Sequence, residues 1–263
     1  MKTAILIPAR YGSTRFPGKP LALLKGKAVL HHVYDVACAA ASEDASIAIA
    51  VATDDERIAS YCRTHDIPCL VTASEFPTGT DRVMAAVRML PAPVDFVVNL
   101  QGDAPLTPPD FVSSLIAASQ AHPDADIVTP VVRLSWTDLD HLRESKETTP
   151  FSGTTAVLSP KGRALWFSKN IIPAIRKESD LRVTSPLSPV YRHIGLYGYK
   201  RTALERYITL TPSFYEEMEG LEQLRALENG MAIQAVLCDY QGRPAMTGID
   251  SPEDLARAEA LLS

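Results

Sequence analysis

The chain has no Cys-x-x-Cys pair, no apolar run near the ~20 residues that a membrane helix needs, and no excess of positive charge. Its four cysteines, Cys38, Cys62, Cys69 and Cys238, are scattered, which excludes a zinc ribbon and predicts reduced thiols in a cytoplasmic protein. The formal net charge of −5 offers no global field for nucleic acid or anionic lipid, so any anion site must be local. Met1 runs directly into a strand-like segment, which predicts no leader peptide and no membrane insertion. There is also no Walker loop and no Gly-x-Gly-x-x-Gly turn, the two commonest phosphate-binding signatures.

What is present is a chain of 263 residues, 46 % hydrophobic and 22 % charged, long enough to bury a core without staples. Lys2 to Pro8 reads as a buried strand. It breaks into Ala9-Arg10-Tyr11-Gly12-Ser13-Thr14-Arg15-Phe16-Pro17-Gly18-Lys19-Pro20. Open α/β sheets bind ligands at the carboxyl ends of their strands. Arg10, Arg15 and Lys19 there, with the exposed backbone N–H groups of that loop, suit a polyphosphate, since they combine charge with directed donors.

Strand-like and helix-like segments then alternate: helix Ala28 to Ala41, strand Ser46 to Ala52, helix from Asp54-Asp55 to about His65, strand Ile67 to Thr72, helix Thr80 to Leu90, strand Val94 to Leu100, helix Pro108 to Ala121. This predicts an α/β fold, Rossmann-like, with a mixed, mostly parallel sheet flanked by helices. The rhythm changes near Asp126. Ile127 to Arg133, Gly153 to Leu158, Arg163 to Ser168 and Val190 to Tyr199 read as strands without a long helix between them, and Arg176 to Pro189 reads as a polar loop. The expectation is one domain over 1–263 with a small β-rich insertion lobe at roughly 129–200. Tyr215 to Asn229 reads as one helix, Ala232 to Cys238 as a last strand and Ser251 to Leu262 as a capped closing helix.

Six constellations carry candidate chemistry. Asp103, in Gln101-Gly102-Asp103, follows the strand Val97 to Leu100 and is a carboxylate placed for magnesium, though a turn aspartate would read the same way. Asp250 stands before Ser251-Pro252, where a capping role is the alternative. Thr78-Gly79-Thr80-Asp81-Arg82 opens a helix and serves either as a cap or as a nucleotide contact, and Thr53-Asp54 closes a strand with the same two options. Arg192 to Tyr199 alternates, so that His193, Gly195 and Tyr197 share one strand face. Glu216, Glu219 and Gln223, with Glu222 nearby, share a face of the 215–229 helix.

These motifs occur together and in order. IPARYGSTRFPGKPL, VATDDERIA, TGTDR, VVNLQGD-P, FSKN-IP, YRHIGLYGY, EGLEQLRALENG and GIDSPEDLARAE span nearly the whole chain. In this the sequence resembles the 3-deoxy-manno-octulosonate (Kdo) cytidylyltransferases, the CMP-Kdo synthetase family of Gram-negative bacteria. The resemblance implies a homodimer, built partly through the insertion lobe, that converts CTP and Kdo to CMP-Kdo and pyrophosphate with magnesium, for lipopolysaccharide or capsule. It implies Arg10, Arg15 and Lys19 at the triphosphate, and Thr78 and Thr80 near the cytosine. Pro8, Ala9, Thr53, Asp54, Gly79 and Arg82 complete the nucleotide side. Asp103 and Asp250 would hold the metal, and Arg10, Lys19, Asp103 and Asp250 form the catalytic set. Gln101, Lys169, His193, Tyr197, Glu219, Glu222 and Gln223 would line the sugar pocket.

The sequence departs from the family on the sugar side. Ala104 replaces a Glu, Thr155 stands where a Lys is usual, and Lys169 replaces an Arg and loses its bidentate fork. These departures motivate a related ulosonic acid as the substrate, or a catalytically weak CTP-binding paralogue. A glycosyltransferase on a similar fold is a third reading, against which Gln101-Gly102-Asp103 lacks the Asp-x-Asp pattern.

Overall fold

The computed structural model describes residues 1–12, 15–76, 78–245 and 248–262. Every residue of β1 (Thr3–Ala9) is buried, because both its faces are covered. Ala4 and Leu6 point to one side, into a cluster with Val83, Met84 and Val87. Ile5, Ile7 and Ala9 point to the other, against Leu30, Val33, Phe111 and Leu115. The period of two thus divides one apolar strand between two cores.

The first half follows the expected alternation. A small hairpin of β2 (Leu23–Leu24) and β3 (Lys27–Ala28) leads into α1 (Val29–Ala40), then β4 (Ala48–Thr53), α2 (Glu56–Thr64), β5 (Cys69–Val71), α3 (Gly79–Met89), β6 (Phe96–Asn99) and α4 (Pro109–Ala121). β4 and β6 flank β1 in parallel, and β5 adds in parallel outside β4.

The second half holds β7 (Ile127–Ser135), α5 (Trp136–Thr148), β8 (Thr154–Leu158), β9 (Ala164–Ser168), α6 (Glu178–Thr184), β10 (Leu187–His193), β11 (Tyr197–Lys200), α7 (Arg201–Tyr207), α8 (Phe214–Glu219), α9 (Glu222–Glu228), β12 (Ile233–Cys238) and α10 (Pro252–Leu261). Its strands continue the same sheet in the order β5-β4-β1-β6-β11-β7-β10-β8-β9, with β12 parallel on the other side of β7. β11, β10, β8 and β9 pair antiparallel, so the sheet is mixed. An antiparallel bridge from Arg163 to Gln234 brings the β9 end back to β12.

Four expectations are corrected here. A helix of thirteen residues, α5, does follow β7. Its buried stripe is only Trp136, Leu139 and Leu142, and its real signature is the Ser135 cap on the Asp138 N–H. The polar stretch 176–189 contains α6, which buries no side chain and is held by Glu178 with Arg143 and by Arg182 with Asp140. The single strand Val190 to Tyr199 is two strands, separated at 194–196. The single helix Tyr215 to Asn229 is α8 and α9, broken at Gly220, whose φ of 63° is left-handed. The break lets the buried Glu216 carboxylate receive the Arg225 guanidinium at 2.5 Å across the two helices.

Candidate active site

The loops after β1 and β6 and the turn before α10 meet at one edge of the sheet. Lys19 opens a 3-10 turn (Lys19–Leu21) after Gly18, and its ammonium lies 2.5 Å from Asp103 Oδ2 and 2.9 Å from Asp250 Oδ1. Arg15 reaches the other Asp250 oxygen at 3.1 Å. Burial alone would lower the Lys19 pKa, but the two carboxylates outweigh it and hold the ammonium above its ordinary value. Asp250 is held below the usual carboxylate range in turn, since Lys19 and Arg15 overcome the cost of its own burial.

Backbone contacts fix this arrangement. Ile249 N–H donates to the Asp103 carbonyl at 2.8 Å. Gly102 packs so tightly on β1 that a Cβ there would lie 2.6 Å from the Pro8 carbonyl oxygen. Ser251 and Asp254 form a reciprocal cap on α10, and this leaves the Asp250 carboxylate out of the capping role.

The nucleotide-side residues divide. Gly79 and Thr80 line the cleft beside Arg15, Asp103 and Asp250. Arg10 Nη2 is buried without a protein partner among the described residues, an unmatched donor at the end of β1. Pro8 and Ala9 supply buried backbone at that same edge. The others are committed within the protein. Asp54 pairs at 3.2 Å with the buried Arg82, which also donates to Thr72 Oγ1. Thr53 Oγ1 accepts from Asp55 N–H, and Thr78 and Asp81 form a capping box on α3. Ser13 and Thr14 of the first loop lie outside the described residues.

Gln101, Lys169, His193, Tyr197, Glu222 and Gln223 line the same cleft, whose volume of about 1740 Å³ leaves room for two substrates. His193 and Tyr197 meet with ring centroids 5.4 Å apart, across the break between β10 and β11 rather than along one strand face. Thr129 Oγ1 donates to the Leu196 carbonyl at 2.8 Å, so its lone pair accepts from His193 Nε2–H at 2.8 Å, and Nδ1 is left as an acceptor. Tyr197 donates to Gln223 Oε1 at 3.0 Å, which leaves the buried Gln223 Nε2 as a donor without a protein partner among the described residues. Thr80 donates to Glu222 Oε2. Surrounding protein raises the Glu222 carboxyl, although the Thr80 hydrogen bond and Arg225 oppose this and water reaches the group.

Glu219 does not line the cleft, and the shared helix face assigned to it with Glu216 and Gln223 does not exist. It accepts from Ser168 Oγ at 2.8 Å and from Lys169 N–H at 2.7 Å, so it supports Lys169 from behind. Of the three positions that depart from the family pattern, only Lys169 lines the large cleft. Thr155 is fully buried, donating to the Asn170 carbonyl and accepting from Ile172 N–H, and Ala104 is buried too. Sequence reasoning missed Arg192. It also lines the cleft, with a buried Nε lacking a protein partner among the described residues, but strand alternation had set it on the face opposite His193.

Burial lowers the His193 pKa from 6.5 to about 3, with Lys169 adding repulsion. The unfolded chain therefore takes up a proton near pH 6.5 that the folded chain refuses until near pH 3. This contribution to stability is complete above pH 6.5 and is lost as the pH falls toward 3. Between pH 7 and pH 5, wild type should lose about 2 kcal/mol more than His193→Gln in urea unfolding. Equal losses would mean that the imidazole titrates normally.

Among the described residues, no helix is long and apolar enough to cross a membrane. The family model for cytidylyltransferases matches residues 4–233. The chain is 41 % identical over its whole length to the 3-deoxy-manno-octulosonate cytidylyltransferase of Maricaulis maris, covering 98 % of that protein. It is 41 % identical to the enzyme of that name from Nitratidesulfovibrio vulgaris, over 95 % of the chain and 92 % of the relative. A solved CMP:2-keto-3-deoxy-manno-octonic acid synthetase complexed with CTP superposes on all of the chain and 98 % of its own, with a TM-score of 0.84 and 31 % identity. A cleft lined from both sides, with a lysine held between two aspartates at its edge, therefore sits in a chain that belongs to the 3-deoxy-manno-octulosonate cytidylyltransferase family.

Proposed function

We propose that the protein transfers the CMP group of CTP to the 2-hydroxyl of Kdo. The observation that carries this is the convergence of Lys19, Asp103, Asp250 and Arg15 beside one cleft that Thr80 lines on one side and His193, Tyr197 and Gln223 on the other. The anomeric oxygen attacks the α-phosphorus, forming one P–O bond as the bond to the β-phosphate breaks. The hydroxyl proton goes to solvent and pyrophosphate leaves.

Arg10, Arg15 and Lys19 neutralise the triphosphate and the charge that grows on the departing pyrophosphate. The unmatched Arg10 Nη2 donor supports this role. Gly79 and Thr80, with the first turn of α3, take the nucleoside, and the hydrogen bond from Asp55 N–H to Thr53 Oγ1, the cap at Thr78 and the Asp54–Arg82 pair hold that wall in place. Gln101, Lys169, Glu222 and Gln223 bind the sugar acid, with His193 and Tyr197 orienting them, and Glu219 positions Lys169 through its backbone N–H.

Asp103 and Asp250 fit magnesium, because their carboxylates converge at the cleft edge and each carries a second oxygen beyond the one that Lys19 takes. The ion would supply positive charge beside the reacting phosphate and sugar oxygens. Homodimerisation through 129–200 is supported by the exposed Leu165 and Val183 on that segment. A cytoplasmic enzyme serving lipopolysaccharide or capsule completes the reading.

With Kdo as acceptor, CTP should support pyrophosphate release at least about a hundredfold better than ATP, GTP or UTP, a ratio within reach of a site that hydrogen-bonds its base. EDTA should abolish that release and added magnesium should restore it. Equal use of the four nucleotides, or full activity in EDTA, would refute the cytidylyl assignment or the metal assignment respectively.

A further inference from the structure

Lys146 lies in the last turn of α5, where the helix dipole favours a cation. Its ammonium reaches four backbone carbonyls on two separate segments. Those of Pro150, Ser152 and Gly153, at 3.2, 2.5 and 3.2 Å, belong to the turn before β8. The fourth, that of Lys169 at 2.5 Å, belongs to the residue after β9. An ammonium has three N–H donors, so the four oxygens share them around one charge.

Both segments are cleft wall, since Phe151, Ser152, Gly153 and Lys169 all line the cavity. The placement is electrostatically costly. Burial lowers the Lys146 pKa, and Lys169 and Arg192 lower it further, with only Glu219 opposing them. Carbonyl dipoles from two directions offset that repulsion. Glu219 meanwhile holds Lys169 by its N–H at 2.7 Å, so Lys169 is fixed by its N–H on one side and by its carbonyl on the other.

We infer that Lys146 is a positioning residue for the acid-binding half of the cleft, locking the 150–153 turn and Lys169 into one wall. It touches no substrate and acts through the backbone of Lys169 and of the turn. The inference rests on the proposed function above and adds that the sugar-acid subsite is assembled from α5.

The test compares Lys146→Met and Lys146→Arg with wild type in pyrophosphate release and in amide hydrogen exchange. Lys146→Met should raise the KM for Kdo about tenfold or more, as loosened positioning does, and leave the KM for CTP within about twofold. Exchange across 151–153 and 169–170 should quicken. Lys146→Arg, which keeps charge and donors, should recover most of both effects. An unchanged KM for Kdo with unchanged exchange overturns the inference, and so does an equal rise in both KM values. If wild type turns over no sugar acid, the proposed function fails, and unchanged exchange in Lys146→Met would still overturn the clamp separately.

Discussion

Lys19→Met should lower turnover at saturating CTP and Kdo by roughly two or more orders of magnitude, the scale of a preorganised charge lost from a transition state. Lys19 is the one side chain joined to both Asp103 and Asp250 among the described residues, and those carboxylates keep it protonated well beyond neutral pH. Its charge costs no reorganisation when the α-phosphate reacts, because it is already held in place. Removing it leaves two carboxylates with only Arg15, which is largely exposed and therefore screened. The KM for CTP should change less than kcat, since Arg10 and Arg15 remain for ground-state binding. Steady-state kinetics on the purified variant checks this, and a kcat within tenfold of wild type would remove Lys19 from the catalytic set.

Gly102→Ala should cost about a hundredfold in kcat/KM, although it alters no chemical group of the site. The added Cβ would sit 2.6 Å from the backbone oxygen of Pro8, and neither partner is a flexible side chain that can swing away. The loop must move, and Asp103 is the next residue. The Asp103 carbonyl also anchors Ile249, so the shift reaches Asp250 through the same bond. Displacement of a reacting centre by about an ångström is worth that much rate. Gly248→Ala is the contrast. Its nearest neighbour would be the Asp103 carbonyl oxygen at 3.5 Å, an ordinary contact, and it should stay within about tenfold of wild type. Similar losses in both variants would show that the site tolerates or resists methyl groups generally, against this account of the β1–β6 contact.

The parts of the fold that were legible were those where burial is two-sided or one-sided throughout an element. β1 and β6 are wholly buried and so read as apolar runs, and α1 and α3 carry broad core stripes. α6 buries nothing, so hydrophobic periodicity had no signal to report; its ion pairs join residues that are neighbours only after folding. The break at Gly220 was visible as a residue type but not as a decision, because the Glu216–Arg225 pair that favours two helices is a tertiary contact.

The site shows the same division. The meeting of Lys19, Asp103 and Asp250 was readable, since Lys19 and Asp103 lie in loops that follow strands and Asp250 precedes a cap, all at the sheet edge where ligands bind. Asp54 and Arg82 were read as nucleotide contacts because nothing local shows that they face each other. Arg192 and Lys146 escaped notice because their importance lies in what surrounds them, an unmatched buried donor in one case and four carbonyls in the other. Thr155 and Ala104 looked like a changed specificity code, but their side chains do not line the large cleft.

The most direct measurement is pyrophosphate release with CTP and magnesium, offering Kdo, 8-amino Kdo and N-acetylneuraminate in turn. The account predicts the highest kcat/KM with Kdo, because only Lys169 of the three departing positions lines the large cleft, and there one basic side chain replaces another. A clear preference for either other acid would contradict it, and silence with all three would leave a nucleotide-binding paralogue in place of an enzyme.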